Sequence, residues 1–176
     1  MKKILIIVGS ILTIGLVGYF GLRFITKQAS PEVQADYAKN GLSISVKYCQ
    51  PSKKSRIVFG DLVPYAKIWR TGANESTEIT FTKDVKIAGQ TLKAGTYTFF
   101  TIPNPEKWTI IFNTKVGTWG HFDYDTTLDA LRVEVPSSTT NDVYEKFTIS
   151  YTEADTGVNL VLAWDKTLVT IPISLG

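Results

Sequence analysis

The sequence predicts an all-β fold, a single β-sandwich of immunoglobulin-like or jelly-roll type, preceded by one N-terminal transmembrane helix. Two observations carry this reading. Residues 4–22 form an uncharged run of 19 residues, with Lys2 and Lys3 before it and Arg23 and Lys27 after it. From residue 40 onward, β-branched and aromatic residues recur in short segments parted by turn residues. Apart from a short turn around residues 126–130, no stretch there keeps apolar residues at helical spacing for three turns.

Taken in order, the first element is the apolar run. At about 1.5 Å per residue, a helix of that length matches the hydrocarbon core of a bilayer. A cleaved secretory signal is the alternative, but its apolar stretch is usually shorter, about 7–15 residues, and ends in a small-x-small site. No such site is evident before Pro31. Residues 1–28 are therefore read as a membrane anchor or signal peptide, 29–39 (ASPEVQADYAK) as a polar spacer, and 40–176 as the sandwich. A domain that follows a single N-terminal span is commonly translocated, which places this one on the extracytoplasmic, periplasmic side.

In the domain, Leu42, Ile44, Val46 and Tyr48 alternate with Ser43, Ser45 and Lys47, the period-two pattern of a strand with one buried face. Further strands are expected at residues 77–82, 96–102, 108–113, 131–135, 147–152, 158–164 and 168–173. Turns are expected at 88–90, 93–95, 103–105, 137–142 and 155–157. Residues 96–102 are apolar on both faces from Phe99 on, which implies a strand packed on both sides or open to a ligand. Without βαβ alternation, a doubly wound sheet is excluded.

Composition narrows the function classes. Nineteen Lys plus Arg oppose sixteen Asp plus Glu, and five of the basic residues (Lys2, Lys3, Arg23, Lys27 and Lys39) precede the domain. Nucleic-acid binding needs a clustered basic stripe, whereas here only Lys53-Lys54-Ser55-Arg56 is dense, and it reads as a solvated turn. One cysteine, Cys49, and one histidine, His121, exclude an intramolecular disulfide, a multi-cysteine zinc site and a two-histidine metal site. Cys49 continues a strand pattern and reads as a small buried side chain.

Two segments hold the candidate chemistry. Residues 68–77 place Trp69, Arg70, Asn74 and Glu75 around Gly72. Arg70 offers a fork of donors, Asn74 a donor and an acceptor, Glu75 an anion, and Trp69 a face for a sugar or a cation. These four, with Trp119 and Tyr124, are the candidate ligand-binding residues. The structural alternative is that Arg70 and Glu75 pair with each other in an irregular crossover. In residues 116–125, aromatics interleave with carboxylates. Asp123, Asp125 and Asp129 offer hard oxygen ligands, but their spacing lacks the glycine and terminal glutamate of the familiar calcium loop, so no metal is expected. The reading that results is a membrane-anchored domain binding a polar small molecule, a glycan or an envelope partner, with no cofactor and no nucleic acid. A hydrolase using Glu75 with Asp123 or Asp125, and His121 as base, is the alternative.

Five segments stand out together: Ser55-Arg56-Ile57-Val58-Phe59-Gly60, Trp69-Arg70-Thr71-Gly72-Ala73-Asn74-Glu75, residues 94–103 (AGTYTFFTIP), Trp108-Thr109-Ile110-Ile111-Phe112-Asn113 and Trp119-Gly120. In these the chain resembles a bacterial family known as domain-of-unknown-function family 2911. The resemblance implies a β-rich extracytoplasmic fold and a shared surface at residues 69–75, and it supplies no reaction and no ligand.

Overall fold

The computed structural model describes residues 2–176. Helix α1 (Lys2–Ala29) is followed by β1 (Glu32–Lys39), β2 (Leu42–Cys49), β3 (Glu78–Phe81), β4 (Val85–Ile87), β5 (Gln90–Leu92), β6 (Gly95–Ile102), β7 (Lys107–Asn113), β8 (Asp129–Ala154) and β9 (Gly157–Leu175). The strands form one antiparallel sheet in the order β1-β2-β3-β6-β7-β8-β9-β4-β5. It folds into two layers because β8 passes from one to the other: residues 129–136 pair with β7, and residues 137–154 pair with β9. Ile44, Val46, Ile79, Phe81, Ile110 and Phe112 from the first layer share one core with Phe147, Leu160, Leu162, Ile171 and Ile173 from the second. Across the gap, Tyr48 meets Phe147 edge-on at 5.6 Å, and its hydroxyl accepts from the Ile149 amide at 3.0 Å. The all-β architecture with one N-terminal helix is thus the one expected.

Two segments depart from expectation. The stretch read as a spacer contains β1, which pairs with β2 from Glu32↔Cys49 to Lys39↔Leu42. Val33, Ala35 and Tyr37 alternate and pack against the core, while Asn40 (φ 53°) and Gly41 (φ 73°) take the two left-handed positions of a tight hairpin turn. The polar residues 137–142, read as a turn, instead continue β8 as a ribbon beside β9, with shifts of register after Thr139 and Tyr144. No side chain of residues 136–146 is buried, so the ribbon stands clear of the core and polar composition suits it.

α1 is long and apolar enough to cross a membrane, and among the described residues none of that stretch is buried in the protein. It fits a membrane anchor or a signal sequence alike. β6 is buried on both faces: Phe99 packs on Phe112 inside, and Phe100 is covered outside by Tyr124 from the loop described next.

Candidate functional site

The loop expected to carry the site grows from the edge of β6. Trp69 and Thr101 exchange amide hydrogen bonds at 2.8 and 3.0 Å, and the Phe99 amide donates to the Thr77 carbonyl at 2.7 Å. Residues 70–76 therefore bulge out of a line that would otherwise extend β3. The Thr77 amide closes the bulge on the Arg70 carbonyl at 3.1 Å, and its hydroxyl donates to the Thr71 carbonyl at 2.7 Å. Inside it, Thr71 (φ 55°) and Asn74 (φ 55°) hold left-handed backbone. For β-branched Thr71 this is costly, and such strain persists only where surrounding contacts over-determine it. The Thr71 hydroxyl, bonded to that of Thr101 at 3.1 Å, supplies one of those contacts. Gly72 supplies another, because a Cβ there would come within 2.9 Å of the Cys49 carbonyl.

A second loop joins the first. The Gly120 amide donates to Asn74 O and the Ser76 amide to Thr118 O, both at 3.1 Å, which sets Trp119 opposite Glu75. Gly120 sits at φ 70°, and a Cβ there would crowd Phe122 at 3.1 Å and Arg70 at 3.4 Å. His121 is thereby carried to the side of Arg70.

Trp69 does not offer a face to solvent. It is 7% exposed, stacks on Trp164 with centroids 5.9 Å apart, and meets Phe147 at 5.0 Å and Phe59 at 5.9 Å edge-on. Its indole N–H donates to the Gly72 carbonyl at 3.1 Å, so this Trp ties the loop to the core. Arg70 has a different setting. Its Nη1 donates to Asn74 O at 3.1 Å, its Nε is buried without a partner, and among the described residues it forms no ion pair. The expected alternative of an Arg70–Glu75 pair is not what forms. Burial works against the Arg70 charge, and no carboxylate offsets it. Arg70 lines a cavity of about 380 Å³ together with Arg56, Asn74, His121, Ser30 and Trp164, and no carboxylate lines it. Burial, and then the nearby Arg70 charge, hold His121 below the usual histidine range.

Glu75 turns the other way. Its Oε1 accepts from Arg23 Nη2 and Lys27 Nζ, each at 3.0 Å, and its Oε2 accepts from Cys49 Sγ at 3.5 Å. Burial pushes the Glu75 pKa up, but the bonds from Lys27 and Cys49 outweigh it, and the net direction is down. A carboxylate held ionised is a poor general acid. The surrounding cleft, of about 260 Å³, is lined by Lys27, Lys47, Glu32 and Glu78 as well as Glu75, so its charges answer one another, and no Asp lines it. Burial raises the Cys49 thiol pKa, which keeps it protonated and unreactive.

The end of α1 completes this side. Asn74 Nδ2 donates to the carbonyls of Thr26 and Ser30, both at 3.2 Å, and the Arg23 guanidinium lies over the Trp119 ring at 4.4 Å. Tyr124 stands apart from both cavities. Its hydroxyl donates to Asp129 Oδ2 at 2.7 Å and accepts from Arg132 at 3.0 Å, and burial together with Asp129 pushes its pKa up to about 12. Asp129 also accepts from Asn113 at 2.8 Å, and Asp125 caps the short 3-10 helix Thr126–Leu128. Among the described residues, no three His, Cys, Asp or Glu side chains gather as metal ligands.

Three of the six candidates, Trp69, Arg70 and Asn74, thus meet at one cavity. Glu75 borders the other cleft with Trp119 paired across from it, and Tyr124 belongs to a separate network. Two further residues with basic side chains border the Arg70 cavity: Arg56, exposed and bonded to the Ser52 and Lys53 carbonyls as a solvated turn residue is, and His121, read in sequence only as a base.

A family model described as "Protein of unknown function (DUF2911)" matches residues 30–173. The chain belongs to this family. The match begins just before β1 and takes in both loops of the site, so the family's extent coincides with the folded domain and leaves out α1. Comparison with curated proteins and with solved structures returns no match.

Proposed function

We propose that this chain is a membrane-anchored extracytoplasmic domain that binds a polar ligand bearing an anionic group, in the cavity of Arg70, Arg56, Asn74 and His121. One observation supports this above the others: the cavity is lined by two arginines and a histidine, without a carboxylate. An arginine removed from water is costly unless something answers its charge. Glu75, the nearest candidate in sequence, is committed to Arg23 and Lys27. A carboxylate or phosphate group of an envelope component would supply what Arg70 lacks, and the planar guanidinium suits either. Strained Thr71, beside Arg70, is the kind of backbone that concentrates at binding sites.

The test is thermal denaturation of the full chain in neutral detergent, with sulfate or galacturonate as anionic probes and galactose as the neutral one. A ligand that binds only the folded state adds about 2.7 kcal/mol at a hundredfold excess over its dissociation constant. The anionic probes raise the melting temperature of the wild type in a saturable way, galactose does not, and Arg70→Gln abolishes the response. Equal responses from all three probes, or an Arg70→Gln protein that responds like wild type, would sink the reading.

A further inference from the structure

We infer that the end of the sandwich carrying Trp119 and Phe122 rests on the lipid bilayer beside α1, so that the domain is docked on the membrane as well as tethered to it. The inference rests on α1 being a retained membrane span.

The argument starts from where Trp119 is held. The uncharged run of α1 ends at Leu22, and Arg23, the next residue, lies over the Trp119 ring at 4.4 Å. One residue adds only about 1.5 Å along a helix axis, so a side chain stacked on Arg23 sits at the depth where the hydrocarbon gives way to headgroups. That depth is where tryptophan and tyrosine gather in membrane proteins, with an apolar ring and a polar edge each in its preferred medium. Tyr19, one turn before Arg23, receives an Arg23 Nη1 bond at 3.3 Å, so helix and domain each contribute an aromatic ring around one guanidinium. The contact is fixed by more than that ring. Glu75 takes Arg23 and Lys27, and Asn74 binds the carbonyls of Thr26 and Ser30, which leaves little freedom between helix and loop.

The surface that this brings down has the composition of an interfacial one. Phe122, in the same turn as Trp119, is 77% exposed, and Ile57 is 69% exposed in the loop whose Arg56 and Leu62 line the Arg70 cavity. Large apolar side chains this open are costly in water and favourable among acyl chains, while neighbouring arginines suit the phosphate layer. The cavity itself has Ser30, the residue just past α1, in its wall, so it opens beside the end of the helix.

Tryptophan fluorescence tests this directly. α1 contains no tryptophan, and Trp69, Trp108 and Trp164 are buried in the core, which leaves Trp119 as the one bilayer can reach. The full chain and its Trp119→Phe variant are reconstituted into phosphatidylcholine vesicles with and without bromine on the upper acyl chain. Bromolipid quenches the wild type, and most of that quenching disappears in Trp119→Phe, with Phe122→Asp falling between the two. Equal fractional quenching in wild type and Trp119→Phe overturns the docking. A chain that fails to float with the vesicles overturns it as well, together with the retained span, whereas anion binding in detergent is decided by its own experiment.

Discussion

Arg70 and Glu75 occupy one strained loop, carry opposite charges, and meet opposite fates. Glu75 is answered twice over, by Arg23 and Lys27, and its cleft mixes lysines with glutamates. Arg70 is answered by a single carbonyl and lines a cavity without a carboxylate. The difference separates a contact that is complete within the chain from one that is not. A self-neutralised cleft needs nothing further; a half-buried guanidinium with an idle Nε does. The first suits a joint and the second suits the binding site proposed above, and it is the bulge of residues 70–76 that points the two side chains apart.

The largest effect comes from removing what both sides depend on. Trp69 pins the start of the loop through its buried ring and its bond to Gly72. Trp69→Ala is expected to cost about 3–5 kcal/mol, the usual range for a large aromatic lost from a packed core. Urea unfolding of the full chain in detergent measures it. A loss under about 1 kcal/mol, within the range of an ordinary surface substitution, would mean that the loop is held by its hydrogen bonds alone and that Trp69 is free to serve a ligand.

Next comes the comparison itself, read as a pair of isosteric changes without added ligand. Arg70→Met removes a poorly answered charge and keeps the volume, and Asn74 O retains its bond from Gly120. The variant should be no less stable than wild type, and more stable by about 1 kcal/mol, as found when buried charges give way to apolar isosteres. Glu75→Gln breaks the two ion pairs at the end of α1. Their side chains are 30–44% exposed, so solvent screening limits the loss to about 0.5 kcal/mol. Its clearer signature is faster tryptic cleavage after Arg23 and Lys27. If instead Arg70→Met destabilises and Glu75→Gln does not, the roles of joint and receptor are reversed.

How much of this was legible in sequence depends on range. The β class, the apolar helix and most strands follow from local alternation, and the match over residues 30–173 supports the family resemblance. β1 was legible and passed over: Val33, Ala35 and Tyr37 alternate, and Asn40-Gly41 is a strong hairpin signal. The ribbon of residues 137–142 was not, because its polar residues bury nothing and are held by hydrogen bonds to β9 and to residues 105–106, distant in sequence. At the site, the cluster Trp69, Arg70, Asn74 and Glu75 was found as a set, but its division into a core anchor, a cavity and a joint was not. That division depends on partners distant in sequence: Trp164 over Trp69, Arg23 beside Glu75, and His121 brought across by Gly120. Arg56 is the solvated turn residue that its sequence suggests, exposed and bonded to the Ser52 and Lys53 carbonyls, and that it also borders the cavity depends on contacts distant in sequence.

The smallest effect sharpens the receptor side of the comparison, and it uses the chain's one histidine. Burial and Arg70 both disfavour a proton on His121, so its folded pKa lies below the ordinary value of 6.5. A base depressed in this way is neutral when folded and takes up a proton more readily when unfolded. Its contribution to stability is therefore complete above pH 6.5 and is lost as the pH falls through the lower, folded value. An anion in the cavity reverses the sign of the local field, neutralising Arg70 and favouring the imidazolium. Titration of His121 by NMR, in the full chain with and without sulfate, should give a low pKa that rises on binding, and Arg70→Gln should raise the starting value and remove the response. A His121 pKa that ignores sulfate while the melting temperature responds would place the bound anion elsewhere, on exposed lysines of the surface, and would leave the cavity of Arg70 without a ligand.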